Sequence, residues 1–218
     1  MSYKAAVFDM DGLLLDTERV CMGVFEEACG TLALPFYRET YLNIIGRNAA
    51  GIREIFLEAY AGDCDAVIAE WRACYHEIVE NKAIPVKPGV TALLEWLQTE
   101  KIPMAVATST ASPVAQKKLE LAGLDQYFSA VATGCEVSQG KPSPEIYHLA
   151  ARRLGVDANS CLAFEDSNNG VRAAVAAEMF TYQIPDLVEP CDDVRALGHR
   201  ILPSMRYVLE DLKSQSMY

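Results

Sequence analysis

Long hydrophobic runs are missing from this chain. No stretch of its 218 residues approaches the ~20 apolar residues that a membrane span requires. The first residues also lack the layout of a secretion signal, because an apolar run begins almost at once and carries Asp9 and Asp11. Positive charge is short as well. Lys and Arg number 19 against 30 Asp and Glu, a net charge of −11, which disfavours nucleic acid or an anionic membrane as the main partner. A small anionic substrate stays open, since a local cation or metal can reverse the field inside a cleft. The seven cysteines (Cys21, Cys29, Cys64, Cys74, Cys135, Cys161, Cys191) form no C-x-x-C pair, and the three histidines (His76, His148, His199) complete no zinc set. Reduced packing thiols of a cytoplasmic protein are the expectation. Neither G-x-G-x-x-G nor G-x-S-x-G occurs, so dinucleotide binding and serine hydrolysis have no support. Gly134 to Gly140-Lys141 imitates a P-loop, but five residues separate the glycines and Pro142 stands where Ser or Thr is required.

What the chain does have is a pair of acids at a strand end. Ala5-Ala6-Val7-Phe8 reads as a buried strand, and Asp9 and Asp11 follow it with Gly12 behind them. Side chains at i and i+2 share one side of an extended chain. Two carboxylates placed so repel each other unless a cation or a proton separates them. That is a poor structural choice and a good one for metal-assisted chemistry in which one acid attacks and the other moves a proton.

Downstream, Asp16 or Thr17 is expected to cap a helix whose apolar positions Val20, Val24, Phe25 and Ala28 recur at helical spacing. Further helices are expected over 37–45, 49–60 and 65–81, broken at Gly46 and Gly62, with no strand between 17 and 82. From Pro85 the pattern alternates: helix 90–100, strand 104–107, helix from Ser112-Pro113 with Ser112 as its cap, and strand 130–133. Helix 143–154, strand 161–164, helix 170–177, strand 180–184, a short strand at 201–202 and helix 205–212 complete it. The expected fold class is α/β, a Rossmann-like mostly parallel sheet with helices on both faces, made by 1–16 and 83–218, plus an inserted all-helical cap at 17–82. The hinges of the cap are expected at 13–16 and 83–87. Trp71 and Trp96 lie on helical patterns and are expected in cores.

Each unusual polar group falls at the carboxyl end of a strand, where such sheets bind ligands. The clusters are Asp9/Asp11, Thr108/Ser109, Lys141 and Glu165/Asp166. Carboxylates from two strands suit Mg²⁺, hydroxyls ahead of a helix suit an oxyanion, and a lysine suits a phosphate oxygen. Together they are parts for phosphoryl transfer, with Asp9 a candidate nucleophile. Each cluster alone has a bland reading: a solvated turn, a helix cap, a surface lysine, a capping pair.

The chain resembles the haloacid dehalogenase superfamily, in its β-phosphoglucomutase and sugar-phosphatase-like branch with a helical cap inserted after the first motif. The matching residues are Asp9-Met10-Asp11-Gly12, the strand ending in Thr108, Lys141-Pro142-Ser143-Pro144, and Glu165-Asp166-Ser167-Asn168-Asn169-Gly170. The resemblance implies Asp9 as nucleophile, Asp11 as general acid and base, and Thr108 and Lys141 as holders of the phosphoryl group. It implies Mg²⁺ bound by Asp9, the Asp11 backbone carbonyl and Asp166, with Glu165 direct or through water. Substrate contacts would come from Thr108, Ser109 and Lys141, with Glu18 and Arg19 at the start of the cap and Gly46-Arg47-Asn48 in a cap loop as candidate readers. The implied activity is Mg-dependent hydrolysis of a small phosphorylated metabolite, a sugar phosphate foremost. A β-phosphoglucomutase activity is the alternative, disfavoured because the cap-facing histidine of that family falls near Cys21. A receiver-like signalling module phosphorylated on aspartate is the reading from another class. The expected partners include no nucleic acid and no membrane, and the expected state is a monomer or weak homodimer.

Overall fold

The computed structural model describes residues 3–45 and 49–216. Strand β1 (Ala5–Phe8) leads into four helices, α1 (Thr17–Thr31), α2 (Arg38–Ile44), α3 (Ala49–Tyr60) and α4 (Cys64–Asn81). The chain continues through α5 (Val90–Thr99), β2 (Met104–Thr108), α6 (Ser112–Leu121), β3 (Ala130–Thr133), α7 (Glu145–Leu154) and β4 (Cys161–Glu165). It ends with α8 (Asn168–Ala176), β5 (Phe180–Gln183), α9 (Asp192–Arg195), β6 (Arg200–Ile201) and α10 (Met205–Ser216). The six strands form one sheet in the order β3-β2-β1-β4-β5-β6, and every neighbouring pair is parallel.

Period-two alternation divides the sheet into two faces. Ala6, Phe8, Met104, Val106, Leu162, Phe164 and Tyr182 join one core with Leu93, Leu97, Leu119 and Val208 from α5, α6 and α10. Stacked rings bind three strands there, Phe8 on Phe164 at 4.5 Å and Phe164 on Tyr182 at 5.5 Å. The other face is built from alanines at 5, 105, 107, 132 and 163, together with Val7, and packs on Ile146, Tyr147 and Ala150 of α7 and Ala173 and Ala174 of α8. Small side chains let α7 and α8 lie close to the sheet, which brings the loops ahead of them over its carboxyl edge.

The four helices after β1 have their own apolar centre around Phe25, which stacks on Phe56 at 5.2 Å. Trp71 packs against this cluster and Trp96 against the sheet core, each partly buried. The segments entering and leaving the helical insert run side by side: the Asp16 N–H donates to the Pro85 carbonyl at 2.8 Å and the Lys87 N–H to the Leu14 carbonyl at 2.9 Å.

Several boundaries differ from expectation. Helix α6 begins at Ser112 with Ala111 in the capping position, because the Ala115 N–H already reaches the Ala111 carbonyl at 2.9 Å. Helix α8 begins two residues early, where the Ser167 hydroxyl accepts the Gly170 N–H. Helix α7 starts at Glu145, whose carboxylate turns back to take the Ser138 and Gln139 N–H groups. Asp16 caps α1 by position only, its carboxylate being bonded to Arg19. All seven thiols are free, yet Cys135 and Cys191 are exposed and not packing residues.

Candidate active site

The strand order changes direction at β1, with β2 on one side and β4 on the other, and such a switch point opens a crevice at the carboxyl ends of the strands. Asp9 stands there, its N–H donating to the Phe164 carbonyl at 3.0 Å and its carboxylate buried. The Lys141 ammonium, from the loop ahead of α7, is hydrogen-bonded to both Asp9 Oδ1 and Glu165 Oε1. Glu165 is fully buried. Its Oε1 also accepts from the Tyr147 hydroxyl at 2.7 Å. Its Oε2 accepts from the Asp166 N–H at 3.1 Å, the Ser167 N–H at 3.2 Å and the Ser167 hydroxyl at 3.1 Å. Glu165 is thus a buried bracket that holds Lys141 against Asp9.

Asp166 follows it, and ligand atoms of Asp9, Glu165 and Asp166 all lie within 4.8 Å of one another. Three carboxylates around one ammonium leave two negative charges in excess. Burial accordingly pushes the Asp9 carboxyl up to about 8, with Glu165 and Asp11 adding to the rise against Lys141. Burial and the charges of Glu165 and Asp9 hold the Asp166 carboxyl well above the usual range. Burial would lower the Lys141 ammonium, but its two carboxylate partners outweigh that. Hard oxygen donors with two charges to spare fit a divalent cation such as Mg²⁺. Gly12 completes the pocket, since with φ +86° it takes a left-handed conformation, and a Cβ there would stand 2.3 Å from Asp166 Oδ2.

Asp11 faces a different set of donors. Its Oδ1 accepts from the Lys118 ammonium at 2.6 Å, and its Oδ2 from Thr110 at 2.6 Å and Thr108 at 3.3 Å. Burial alone would raise the Asp11 carboxyl, but Lys118 and the two hydroxyls hold it below its ordinary value. The i+2 acids thus sit in opposite environments.

Glu18, Ser109, Lys141 and Asp166 line one cavity of about 640 Å³, together with Ile45, Asn169, Arg172, Leu187 and Cys191. Burial pushes the Glu18 carboxyl up against a hydrogen bond from the Tyr41 hydroxyl. Gly46, Arg47 and Asn48 lie outside the described residues. Arg19, another expected reader, is bonded to Asp16 and Asp186 at 2.7 Å each. Asp186 also takes Lys87, so this loop after β5 ties the first turn of α1 to the segment that leaves the insert. Sequence reasoning missed Lys118, Thr110, Tyr147 and Asp186. The signal for Lys118 was available: a charge between Ala115 and Leu119 on the apolar stripe of α6.

A buried carboxylate held by a bracketed lysine, with further acids and a threonine beside it, thus gathers at the sheet edge where such folds bind ligands. A family profile described as haloacid dehalogenase-like hydrolase matches residues 3–178. A phosphorylated carbohydrates phosphatase of Thermotoga maritima is 32% identical over 197 residues, covering 89% of either chain. Fructose-1-phosphate phosphatase YqaB of Escherichia coli is 32% identical over 179 residues, covering 81% of this chain and 94% of that one. The crystal structure of a candidate β-phosphoglucomutase from Thermotoga maritima superposes with a TM-score of 0.81 at 28% identity, covering 97% and 99% of the two chains. The chain belongs to the haloacid dehalogenase-like hydrolases. By its family and its phosphatase relatives it is a phosphoric monoester hydrolase.

Proposed function

We propose that the protein hydrolyses a small phosphorylated metabolite, a sugar phosphate foremost, through an aspartyl-phosphate on Asp9. The observation that carries this reading is the Asp9–Lys141–Glu165 bracket beside Asp166, opening on a cavity large enough for such a metabolite. An Asp9 oxygen attacks phosphorus, the ester P–O bond breaks, and the leaving oxygen takes its proton from Asp11. Water then attacks the phosphorus, gives its proton to Asp11, and releases phosphate and free Asp9. Asp11, ionised against Lys118, already has the form needed in the second half. The arriving phosphate dianion raises its proton affinity for the first. Lys141 and Thr108 hold the phosphoryl oxygens. Asp9, Asp166 and the Asp11 carbonyl would hold Mg²⁺, with Glu165, whose oxygens are occupied, acting at one remove. When bound, the ion neutralises charge developing on the phosphoryl group.

The helical insert at 17–82 serves as a lid that selects the substrate, with Glu18 and Arg47 among its readers. The seven free thiols fit a reducing compartment, and we place the protein in the cytoplasm.

A mutase must carry its aspartyl phosphate past water to a second acceptor. At the position where the resemblance puts a mutase histidine stands Cys21, whose thiol burial pushes up to about 12. Such a group gates no proton near neutrality, which favours hydrolysis. The test is phosphate release from a panel of phosphorylated metabolites and 4-nitrophenyl phosphate. Asp9→Asn and EDTA are each expected to abolish turnover, and robust activity under either condition overturns the mechanism. Conversion of β-glucose 1-phosphate to glucose 6-phosphate in place of free phosphate would establish the mutase. Stable phosphorylation by a small phosphodonor without turnover would establish the receiver.

A further inference from the structure

One buried charge is left over from the chemistry just described. Lys118 lies on α6, points inward between Ala115 and Leu119, and is 3% exposed. A lysine is rarely buried unless it is paired. Two contacts hold it, and they come from different parts of the molecule, with the Glu18 carboxylate of α1 also near enough to interact. Its ammonium donates to Asp11 Oδ1 at 2.6 Å, and it lies over the ring of Tyr75 on α4, 5.4 Å from the centroid. Asp11 belongs to the sheet edge and Tyr75 to the helical insert.

We propose that Lys118 is a positioning residue through which the helical insert orients Asp11. The proposal rests on the acid/base role of Asp11 given above. Three donors fix the Asp11 carboxylate: Lys118 on one oxygen, Thr110 and Thr108 on the other. The two threonines come from the β2 end, and their hydroxyls can rotate away. The ammonium is the fixed point, and it stays dry only while the Tyr75 face covers it. An ammonium beneath an aromatic face is held strongly when water is excluded and weakly once hydrated. Lifting the insert removes the ring, admits water to the ammonium and loosens its hold on Asp11. Asp11 is then aimed at the leaving group only beneath a seated insert.

The test uses the full-length protein with MgCl2 and three esters whose leaving groups grow more basic: 4-nitrophenyl, phenyl and benzyl phosphate. A misaimed proton donor hurts the most basic leaving group most. Lys118→Met is expected to lower kcat/KM for benzyl phosphate about 100-fold more than for 4-nitrophenyl phosphate, with KM for the latter nearly unchanged. Tyr75→Leu, which leaves the buried ion pair in place, is expected to move the same ratio about 10-fold. Lys118→Arg should restore part of the loss. Equal losses across the three esters in Lys118→Met and Tyr75→Leu would mark a structural role and overturn the proposal, as would a rise in KM alone. If Lys118→Met fails to fold, Tyr75→Leu decides by the same ratio. Asp11→Asn separates the two levels. Wild-type turnover of benzyl phosphate by that variant refutes the acid/base role itself and the coupling with it, whereas an inactive Asp11→Asn beside unselective Lys118 and Tyr75 variants refutes only the coupling.

Discussion

Gly170 offers a sharp test of the Glu165 bracket. It is the third residue of α8, where glycine is a poor choice: alanine within a helix is favoured over it by up to about 1 kcal/mol. On propensity alone, Gly170→Ala should stabilise the protein. The structure says otherwise, because a Cβ at this position would fall 1.8 Å from Glu165 Oε1 and 2.1 Å from Oε2. The carboxylate would have to retreat by more than 1 Å to clear even the 3.0 Å that real Cβ contacts respect. Its hydrogen bonds from Tyr147, Asp166, Ser167 and Lys141 cannot survive such a shift together. Disrupting one side of a buried ion pair costs about 3–5 kcal/mol. Sterics therefore win, and the net loss should be about 2–4 kcal/mol after the helix gain. Activity should fall further than stability, since Lys141 loses the group that aims it, and a misplacement of about 1 Å costs on the order of 100-fold in rate. Urea unfolding with saturating MgCl2 and kcat/KM on 4-nitrophenyl phosphate measure the two effects. Gly23→Ala in α1 is the internal control, because a Cβ there meets nothing within 4 Å and should bring the full helix gain. If Gly170→Ala matched Gly23→Ala in stability and kept its activity, the bracket would have no role.

Two further outcomes are expected. In the metal-free protein the Asp9 carboxyl sits at about 8, against about 4 in an unfolded chain. Between those values the folded state binds more protons, so metal-free stability should fall as pH rises through that window. Melting temperatures should show this decline, MgCl2 should remove it, and a decline that persists unchanged in Asp9→Asn would refute its assignment to Asp9. Tyr147→Phe deletes one donor to the buried Glu165 carboxylate and should cost about 1–3 kcal/mol in urea unfolding. A cost near zero would show that Lys141 and the Ser167 turn hold Glu165 unaided.

The site was legible where chemistry and secondary structure coincide in a short stretch. Asp9 and Asp11 declare themselves because two acids end an apolar run, and Thr108 and Glu165 because each closes a strand of the same character. What sequence could not give is which partner each group takes. Asp9 and Asp11 look equivalent along the chain, and they differ in space because Lys141 comes from 132 residues away and Lys118 from 107. The loop after β5 shows the same limit. No pattern marks Pro185-Asp186-Leu187, yet Asp186 binds Arg19 and Lys87, and Leu187 joins the apolar cluster of the insert. The Ser112 cap was displaced by one residue because a backbone bond to Ala111 closes first.

The paired segments at Leu14–Asp16 and Pro85–Lys87 carry a consequence for how such proteins diversify. The helical insert leaves the sheet and returns to it at nearly the same point, so the backbone of the sheet sees it as a loop of almost zero span. Closing a loop costs little more when the loop grows, and the sheet core draws its fully buried helical partners from α5, α6, α7, α8 and α10, with Val20 and Tyr75 of the insert only partly buried against it. The length of the insert can therefore change at little cost to the sheet. A foreign helical segment spliced between Asp16 and Pro85 would leave the sheet intact but would have to supply its own cover for Lys118 in place of Tyr75.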